Sequence, residues 1–158
     1  MLRLSKLTDY AVVVMVRLAD LSPGANPDVQ TSPGIAAATG VPEPTVAKVL
    51  KTLAATGLVT SQRGARGGYR LARPLEDIAV SEVIAAVDGP IALVACVDGS
   101  LTECESQGLC PVRGRWDPVN DAIQQALTGI TLADMREAAV PPMFRLPARA
   151  QIALPAAE

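Results

Sequence analysis

The sequence predicts a mainly α-helical fold with a small β-hairpin and a long C-terminal helix. Apolar residues recur at i, i+3 and i+4 along much of the chain, which is the spacing of one face of a helix. Two short strand-like runs flank the glycine-rich stretch "RGARGG" at residues 63–68, and this arrangement predicts a tight hairpin. Only four aromatic residues are present, so small aliphatic side chains must fill the space between the helices.

Composition limits the class of protein. The chain of 158 residues is 49% hydrophobic, enough for one domain with an extension. It contains no apolar run of the ~18 residues that a membrane helix needs. The N-terminus lacks a signal-peptide cleavage pattern, so we expect a cytoplasmic protein, in which disulfides are uncommon. Residues 1–75 carry nine Lys/Arg against four Asp/Glu, and the remainder carries five against twelve. A basic front half favours an anionic partner.

Residues 8–21 predict the first helix, which is apolar nearly all round and should be buried on several sides. Such a helix suits a position shared between two subunits. The following stretch "SPGANPDVQTSPG" (22–34) predicts a loop. A second helix should begin near Ser32, with Ser32 as its cap and Pro33 at its first position.

The stretch from Ser32 to Val59 has the pattern of a helix-turn-helix. This motif needs a small residue where its helices touch, a glycine at the turn and apolar residues that fix the crossing angle. Ala36, Gly40, Val46 and Val49 supply that pattern. The second helix begins at residues 43–45, and its predicted buried stripe is Val46, Val49, Leu50 and Leu53. Its outward residues would be Thr45, Lys48, Lys51 and Thr52. The alternative is an ordinary antiparallel helix pair.

The segment "GLVTSQRGARGGYRLAR" (57–73) predicts strands at 58–63 and 69–72 around a glycine-rich tip. Four arginines cluster there with no acid between them: Arg63, Arg66, Arg70 and Arg73. A flexible arginine-bearing hairpin after a helix-turn-helix is typical of a wing, which contacts phosphates or a narrow minor groove. The alternative is a solvated basic hairpin.

The second half of the chain should contain two further helices. Residues 78–90 predict a short strand and then a helix capped by Ser81 and ended by Gly89-Pro90. Residues 117–130 predict a helix capped by Asp117, with a single apolar stripe of Trp116, Val119, Ile123, Ala126, Leu127 and Ile130. Because this apolar stripe lies late in the chain, little of the chain's own core is left for it to cover. It favours packing against a partner chain, although an intrachain contact is the alternative.

All three cysteines lie in one acidic loop, "CVDGSLTECESQGLC" (96–110), and the chain contains no histidine. Thiolates suit iron–sulfur clusters, and Gly99 and Gly108 allow the loop to fold around one. An odd number of cysteines leaves one thiol unpaired in any disulfide scheme. Zinc prefers four Cys/His ligands and therefore fits poorly. No nucleophile–base motif is present, so we do not expect an enzyme or a small-molecule substrate.

Four features together carry a family resemblance: "LSKLTDYAVVVM" (4–15), "KTLAATGLVTSQRGARGGYRLAR" (51–73), "DGPIAL" (88–93) and the three-cysteine loop followed by Trp116. From Leu2 to about Leu132 the chain resembles the Rrf2 family of bacterial winged-helix regulators, which includes IscR-like and NsrR-like members. Its opening is most similar to the branch that regulates the SUF iron–sulfur assembly genes. The resemblance implies a homodimer, a 2Fe–2S or 4Fe–4S cluster, and DNA affinity that depends on the cluster.

The resemblance also implies a set of cluster ligands. Cys96, Cys104 and Cys110 would supply the thiolates. IscR-like members place a histidine three residues beyond the last cysteine, where this chain has Arg113, which cannot ligate iron. NsrR-like members use an aspartate near the start of the first helix, from the other subunit, and Asp9 matches that position. The alternative fourth ligand is a water or a small thiol. In that case Asp9 is only an acid in the first turn of its helix, where the helix dipole stabilises its negative charge.

The expected function is a cytoplasmic, homodimeric transcriptional repressor that binds double-stranded DNA and senses iron–sulfur cluster status or redox stress. The alternative is a cluster-free thiol redox switch on the same DNA-binding scaffold. A winged helix-turn-helix at 1–75 would precede a cluster loop and dimerisation helix at 76–135 and a disordered tail at 136–158. IscR-like base readout is altered, since Ala47 replaces a glutamate and Pro42 and Pro44 replace serines. The predicted DNA contacts are Thr45, Lys48, Lys51, Arg63, Arg66 and Arg70.

Overall fold

The computed structural model describes residues 3–21, 29–64, 66–97 and 109–137. Within them the predicted class is confirmed, because the structure has six α-helices and a single two-stranded antiparallel hairpin. In chain order the elements are α1 (Lys6–Asp20), α2 (Ser32–Thr39), α3 (Glu43–Ala55), β1 (Val59–Gln62), β2 (Gly68–Leu71), a 3-10 turn (Leu75–Asp77), α4 (Val80–Asp88), α5 (Asp117–Thr128) and α6 (Leu132–Arg136).

Helix α1 lies at the centre of the fold. Its residues Ala11, Val14, Met15 and Leu18 are almost completely buried, and the helix packs against α2, α3 and α4. Burying each of the larger side chains contributes roughly 1.5–3 kcal/mol. One continuous core contains residues from both sides of position 75. The predicted division of the chain into a DNA-binding part and a cluster-binding part at that position stays a prediction.

Helices α2 and α3 form the predicted helix pair. Gly40 ends α2 with a left-handed φ of 72°, and its N–H donates to the Ala36 carbonyl at 2.9 Å. All four residues of the predicted α3 stripe are fully buried: Val46, Val49, Leu50 and Leu53. The predicted cap of α2 is wrong by one residue. The Thr31 hydroxyl accepts from the Gly34 N–H at 3.3 Å, and Ser32 is already helical.

The hairpin pairs Val59 with Leu71 at one end and Gln62 with Gly68 at the other. The bounds of both strands differ by one residue at each end from the predicted 58–63 and 69–72. Gln30, just before α2, pairs with Tyr69 through two backbone hydrogen bonds of 2.8 Å. The hairpin is therefore fixed to the helix pair by backbone as well as side chains.

The start of α4 differs from the prediction. The expected strand is one bridge between Ala79 and Thr131, and the helix begins at Val80. Ser81 is not the cap, because the Glu82 carboxylate accepts from the Ala79 N–H at 3.1 Å. The Ser81 hydroxyl instead lies 3.1 Å from the Thr128 hydroxyl, which donates to it from the end of α5.

Helix α5 begins at Asp117 and ends at Thr128, two residues before the predicted end, and Trp116 rather than Asp117 is the residue at its cap position. Leu127 and Ile130 pack against the core, whereas Trp116 is 41% exposed and Val119 is 44% exposed. The stripe is thus only partly covered by its own chain. The predicted tail begins at the last residue of α6, and its residues 138–158 lie outside the described residues. None of the helices described here has the length and apolar content that a membrane crossing requires.

Candidate nucleic-acid interface and cysteine segment

The outward side of α3 carries two basic side chains. Lys48 and Lys51 are exposed, and their exposure follows from the buried stripe on the opposite side of the same helix. Thr45 is half-buried beside them, and Ala47 is exposed. The structure therefore presents the predicted surface of α3 with its lysines accessible to a ligand.

The hairpin tip requires its glycines. Gly64 has a φ of 111°, in the left-handed region that side chains rarely adopt. A β-carbon on Gly67 would lie 2.5 Å from the Gln62 carbonyl oxygen. A β-carbon on Gly68 would collide with the backbone of Gln30. The glycine-rich motif is thus explained by a left-handed φ at Gly64 and by close backbone approach at Gly67 and Gly68.

Three wing arginines extend from this hairpin into solvent. Arg63, Arg66 and Arg70 are exposed. The Arg70 Nε donates to the Thr60 hydroxyl across the strands at 3.2 Å, which orients that side chain along the sheet. Because α3 leads directly into β1, the wing and the lysines of α3 belong to one continuous basic segment of the chain.

Arg73 does not join the other three. Its guanidinium donates to the Glu82 carboxylate at 2.6 Å and to the Asp77 carbonyl at 2.8 Å. The Arg73 hydrogen bond is the largest cause of a lowered pKa at Glu82 and outweighs the effect of burial. Three of the four expected arginines therefore remain in the cluster, because Arg73 is paired with Glu82 of α4.

The cysteine segment is described at its two ends. Cys96 and Cys110 are half-buried free thiols, and Cys104 lies outside the described residues. Cys96 sits in a turn where the Val97 N–H donates to the Val94 carbonyl at 3.4 Å, and Val97 is buried. Free thiols are the ligands that iron–sulfur clusters take, so the donor chemistry fits such a cluster.

Asp9 lies on the first turn of α1, and its side chain is exposed. Within the described residues of one chain, no group of three or more Cys, Asp or Glu side chains could hold a metal ion. Asp9, Cys96 and Cys110 are thus not assembled into a ligand group by a single chain. Arg113 is exposed.

Two residues that sequence reasoning missed hold the segment leading to Cys96. Asp88, at the end of α4, accepts from the Ser5 N–H at 3.1 Å and from the Thr8 hydroxyl at 2.7 Å. Asn120, on α5, is only 4% exposed and bonds to the backbone of Ile91 and Leu93. A signal for Asn120 was present, because it is an amide next to the apolar stripe of its helix.

The chain matches proteins named as transcriptional regulators. The family model Rrf2, described as "Iron-dependent Transcriptional regulator", matches residues 4–138. A protein named as an HTH-type transcriptional regulator in Mycobacterium tuberculosis strain H37Rv is 34% identical over 141 residues, covering 89% of this chain and 84% of its own length. The HTH-type transcriptional regulator NsrR of Geobacillus kaustophilus is 28% identical and covers 86% and 90%, respectively.

Solved structures show the same fold. CymR of B. subtilis, the global cysteine regulator, superposes with a TM-score of 0.64 at 28% identity, covering 87% of this chain and 98% of that chain. IscR of T. potens gives a TM-score of 0.61 at 30% identity, with coverage of 92% and 94%. These similarities confirm a winged-helix fold and a regulator rather than an enzyme. The chain belongs to the Rrf2 family of DNA-binding transcriptional regulators.

Proposed function

We propose that this chain is a cytoplasmic, homodimeric repressor that senses iron–sulfur cluster status or redox stress and controls genes of cluster assembly. The observation that carries the proposal is the pair of free, half-buried thiols, Cys96 and Cys110, at the two ends of the cysteine segment on a winged-helix scaffold. The chain has no histidine that could replace a thiolate. The target genes rest on the "LSKLTDY" opening, which is most similar to the SUF-regulating branch.

DNA binding would use the two basic surfaces described above. Helix α3 would enter the major groove, with Lys48 and Lys51 at phosphates or base edges and Thr45 beside them. The wing would place Arg63, Arg66 and Arg70 at phosphates or in the minor groove. Each lysine or arginine that neutralises a phosphate releases a counterion, so the affinity should fall steeply with salt.

The cluster would be held by Cys96, Cys104 and Cys110, with Asp9 of the partner subunit as the fourth ligand. A bound cluster would supply a site whose integrity depends on iron supply and oxidants. The exposed position of Asp9 leaves its carboxylate accessible to a second chain. A ligand on α1 would also couple the site to α3, because α1 packs directly against α3.

A dimer would cover the apolar part of α5. Val119 and Trp116 are exposed there, and a cleft of about 830 Å³ adjoins the same helix at Ile123 and Leu127. The cleft also reaches the N-terminal residues before α1. A partner chain seated on this side would therefore contact α5 and the first residues of α1 together.

A second candidate is a thiol redox switch without a cluster. It is favoured by the structural similarity to CymR, a global cysteine regulator, and by the free state of Cys96 and Cys110. On this hypothesis, oxidation of the thiols would change DNA affinity directly. Both candidates use the same DNA-binding surfaces and differ only in what the three cysteines hold.

One experiment separates the two candidates. The full chain is purified without oxygen, and its absorption spectrum, iron and acid-labile sulfide are measured beside DNA affinity before and after cluster removal. Visible absorption with iron and sulfide, together with DNA affinity that changes on removal, supports the cluster sensor. A colourless protein whose DNA affinity responds to a thiol oxidant, and not in a Cys96→Ser variant, supports the thiol switch.

A further inference from the structure

The C-terminal end of α4 caps the N-terminal end of α1. The Asp88 carboxylate accepts hydrogen bonds from the Ser5 N–H and the Thr8 hydroxyl, at 3.1 and 2.7 Å. Partial burial raises the pKa of Asp88, but these hydrogen bonds outweigh it, and the pKa lies below its usual value. A negative charge at a helix N-terminus is also stabilised by the helix dipole. The first turn of α1 is therefore tied to a residue 80 positions later in the chain.

The chain that follows Asp88 is fixed a second time. The Asn120 Oδ1 accepts from the Leu93 N–H at 3.0 Å, and its Nδ2 donates to the Ile91 carbonyl at 3.1 Å. Asn120 is buried, so removal of its amide would leave these backbone groups without partners and should weaken the hold on the segment. Cys96 follows Leu93 by three residues and precedes the buried Val97.

We infer that Asp88 and Asn120 are positioning residues that join the first turn of α1 and the approach to Cys96 into one rigid linkage. Asp88 holds the turn that contains Asp9, and Asn120 holds the segment that leads to Cys96. We define the linkage as residues 88–93 with their contacts to Ser5, Thr8 and Asn120. The role of this linkage rests on the proposed function. Under that function it fixes two ligand residues, one for each of the two sites of a dimer.

The linkage gives a route from the cysteine loop to the DNA-binding helices. A displacement of the segment before Cys96 would move Asp88 and, through Thr8, the start of α1. Helix α1 packs against both α2 and α3. A merely local role for Asp88 or Asn120 predicts no such effect at a distance, and this difference can be measured.

The test measures cross-effects in the cluster-free protein. Asp88→Ala should speed hydrogen exchange at the Thr8 and Asp9 amides, and should also raise the alkylation rate of Cys96 by N-ethylmaleimide several-fold. Asn120→Ala should raise alkylation of Cys96 and, in turn, exchange at the first turn of α1. Asp88→Asn keeps an acceptor oxygen and should restore part of the protection. If Asn120→Ala does not fold, Asn120→Asp, which keeps the acceptor for Leu93, takes its place.

Asp134→Ala is the matched control. The Asp134 carboxylate also accepts two hydrogen bonds at a helix start, from the Thr131 N–H and hydroxyl at 2.8 and 2.9 Å, but it caps α6. Its removal should lower stability without changing Cys96 alkylation or exchange at Asp9. Equal Cys96 alkylation in Asp88→Ala and Asp134→Ala would overturn the linkage.

The anaerobically loaded protein gives the second readout. Asp88→Ala should shift the visible spectrum in the same direction as Asp9→Ala, and the double variant should shift by less than the sum of the two, because part of the Asp88 effect passes through Asp9. Additive spectral changes would overturn the inference that Asp88 acts by positioning Asp9. Absence of iron and sulfide from the wild type would instead overturn the proposed function, and the exchange and alkylation rates would still decide whether the linkage exists.

Discussion

Arg73 and Glu82 form an ion pair of 2.6 Å that fastens the base of the wing to α4. The same guanidinium donates to the Asp77 carbonyl in the intervening turn at 2.8 Å. The Arg73 guanidinium is thereby engaged at α4, although Arg73 lies in one short stretch of sequence with the other arginines of the hairpin. The ion pair thus makes Arg73 a structural anchor, whereas the other arginines of the hairpin stay available to DNA.

DNA affinity should depend on the wing tip and not on this anchor. Arg63→Ala or Arg66→Ala should weaken binding, and the slope of log affinity against log salt should fall by roughly one unit for each phosphate that the variant no longer neutralises. Arg73→Ala is the control, because it removes the same charge from the same region without removing a side chain of the tip. Fluorescence anisotropy across a salt series measures both quantities. Unchanged affinity and slope in both tip variants would remove the wing from the mechanism.

The Arg73–Glu82 pair should contribute stability that depends on pH. The hydrogen bond from Arg73 lowers the folded-state pKa of Glu82 below its ordinary value of 4.5, so the contribution is full above that value and is lost as pH falls through the folded pKa. Both side chains are about 40% exposed, so we expect roughly 0–1 kcal/mol at neutral pH. Urea unfolding of wild type and Glu82→Gln should differ at pH 7 and converge in acid. A difference that grows in acid would contradict the pairing.

The apolar side of α5 should mediate the dimer. Val119→Asp or Ile123→Asp would place a charge in an apolar contact, at a cost of several kcal/mol to association. Leu127→Asp is less informative, because Leu127 also packs against its own core and its replacement would lower the stability of the monomer as well. Sedimentation velocity measures the mass, and Gln124→Asp on an exposed side of the same helix is the control. An intact dimer in the Val119 and Ile123 variants would show that the stripe is not the interface.

Asp9 should complete the cluster from the partner subunit. Asp9→Ala should leave a cluster bound by the three cysteines that is less stable and spectrally altered, because a weak carboxylate ligand has been removed. Cys104→Ala should lose the cluster almost entirely. Glu43→Ala, an exposed first-turn acid on α3, controls for removal of a helix-dipole interaction. Identical spectra and decay rates in Asp9→Ala and wild type, under matched anaerobic conditions, would return the fourth position to a small molecule.

Gly68 should tolerate no side chain. Gly68→Ala would force a β-carbon into the backbone of Gln30 and should destabilise the protein by about 1–3 kcal/mol, with weaker DNA binding as the wing shifts. Gly129→Ala is the control, since its β-carbon would meet the Gln125 carbonyl oxygen at an ordinary 3.5 Å. Thermal unfolding compares the two. An equal, small effect at both glycines would mean that the hairpin can move away from Gln30.

Local pattern determined the elements of this fold. The buried stripe of α3 was predictable residue by residue, because helical period and apolar identity are both written in consecutive sequence. Gly64, Gly67 and Gly68 predicted the hairpin, because the left-handed φ of Gly64 and the close backbone approach at Gly67 and Gly68 disfavour other residues there. The count of cysteines and the absence of histidine likewise restricted the ligand chemistry, whatever the fold around them.

Only the tertiary structure decided which polar side chains are paired within the scaffold and which stay exposed. Arg73 is like its neighbours in sequence, and only the packing of α4 brings Glu82 to it. Asp88 meets Thr8 across 80 positions, and Asn120 meets Leu93 across 27, separations over which no local period carries information. The helix caps at Thr31 and Ala79 were predicted at Ser32 and Ser81 for a related reason. Neighbouring residues compete for the cap position, and small differences in backbone geometry select one of them. A hydrogen bond needs angstrom-scale proximity, and that proximity is set by the packing of the whole core.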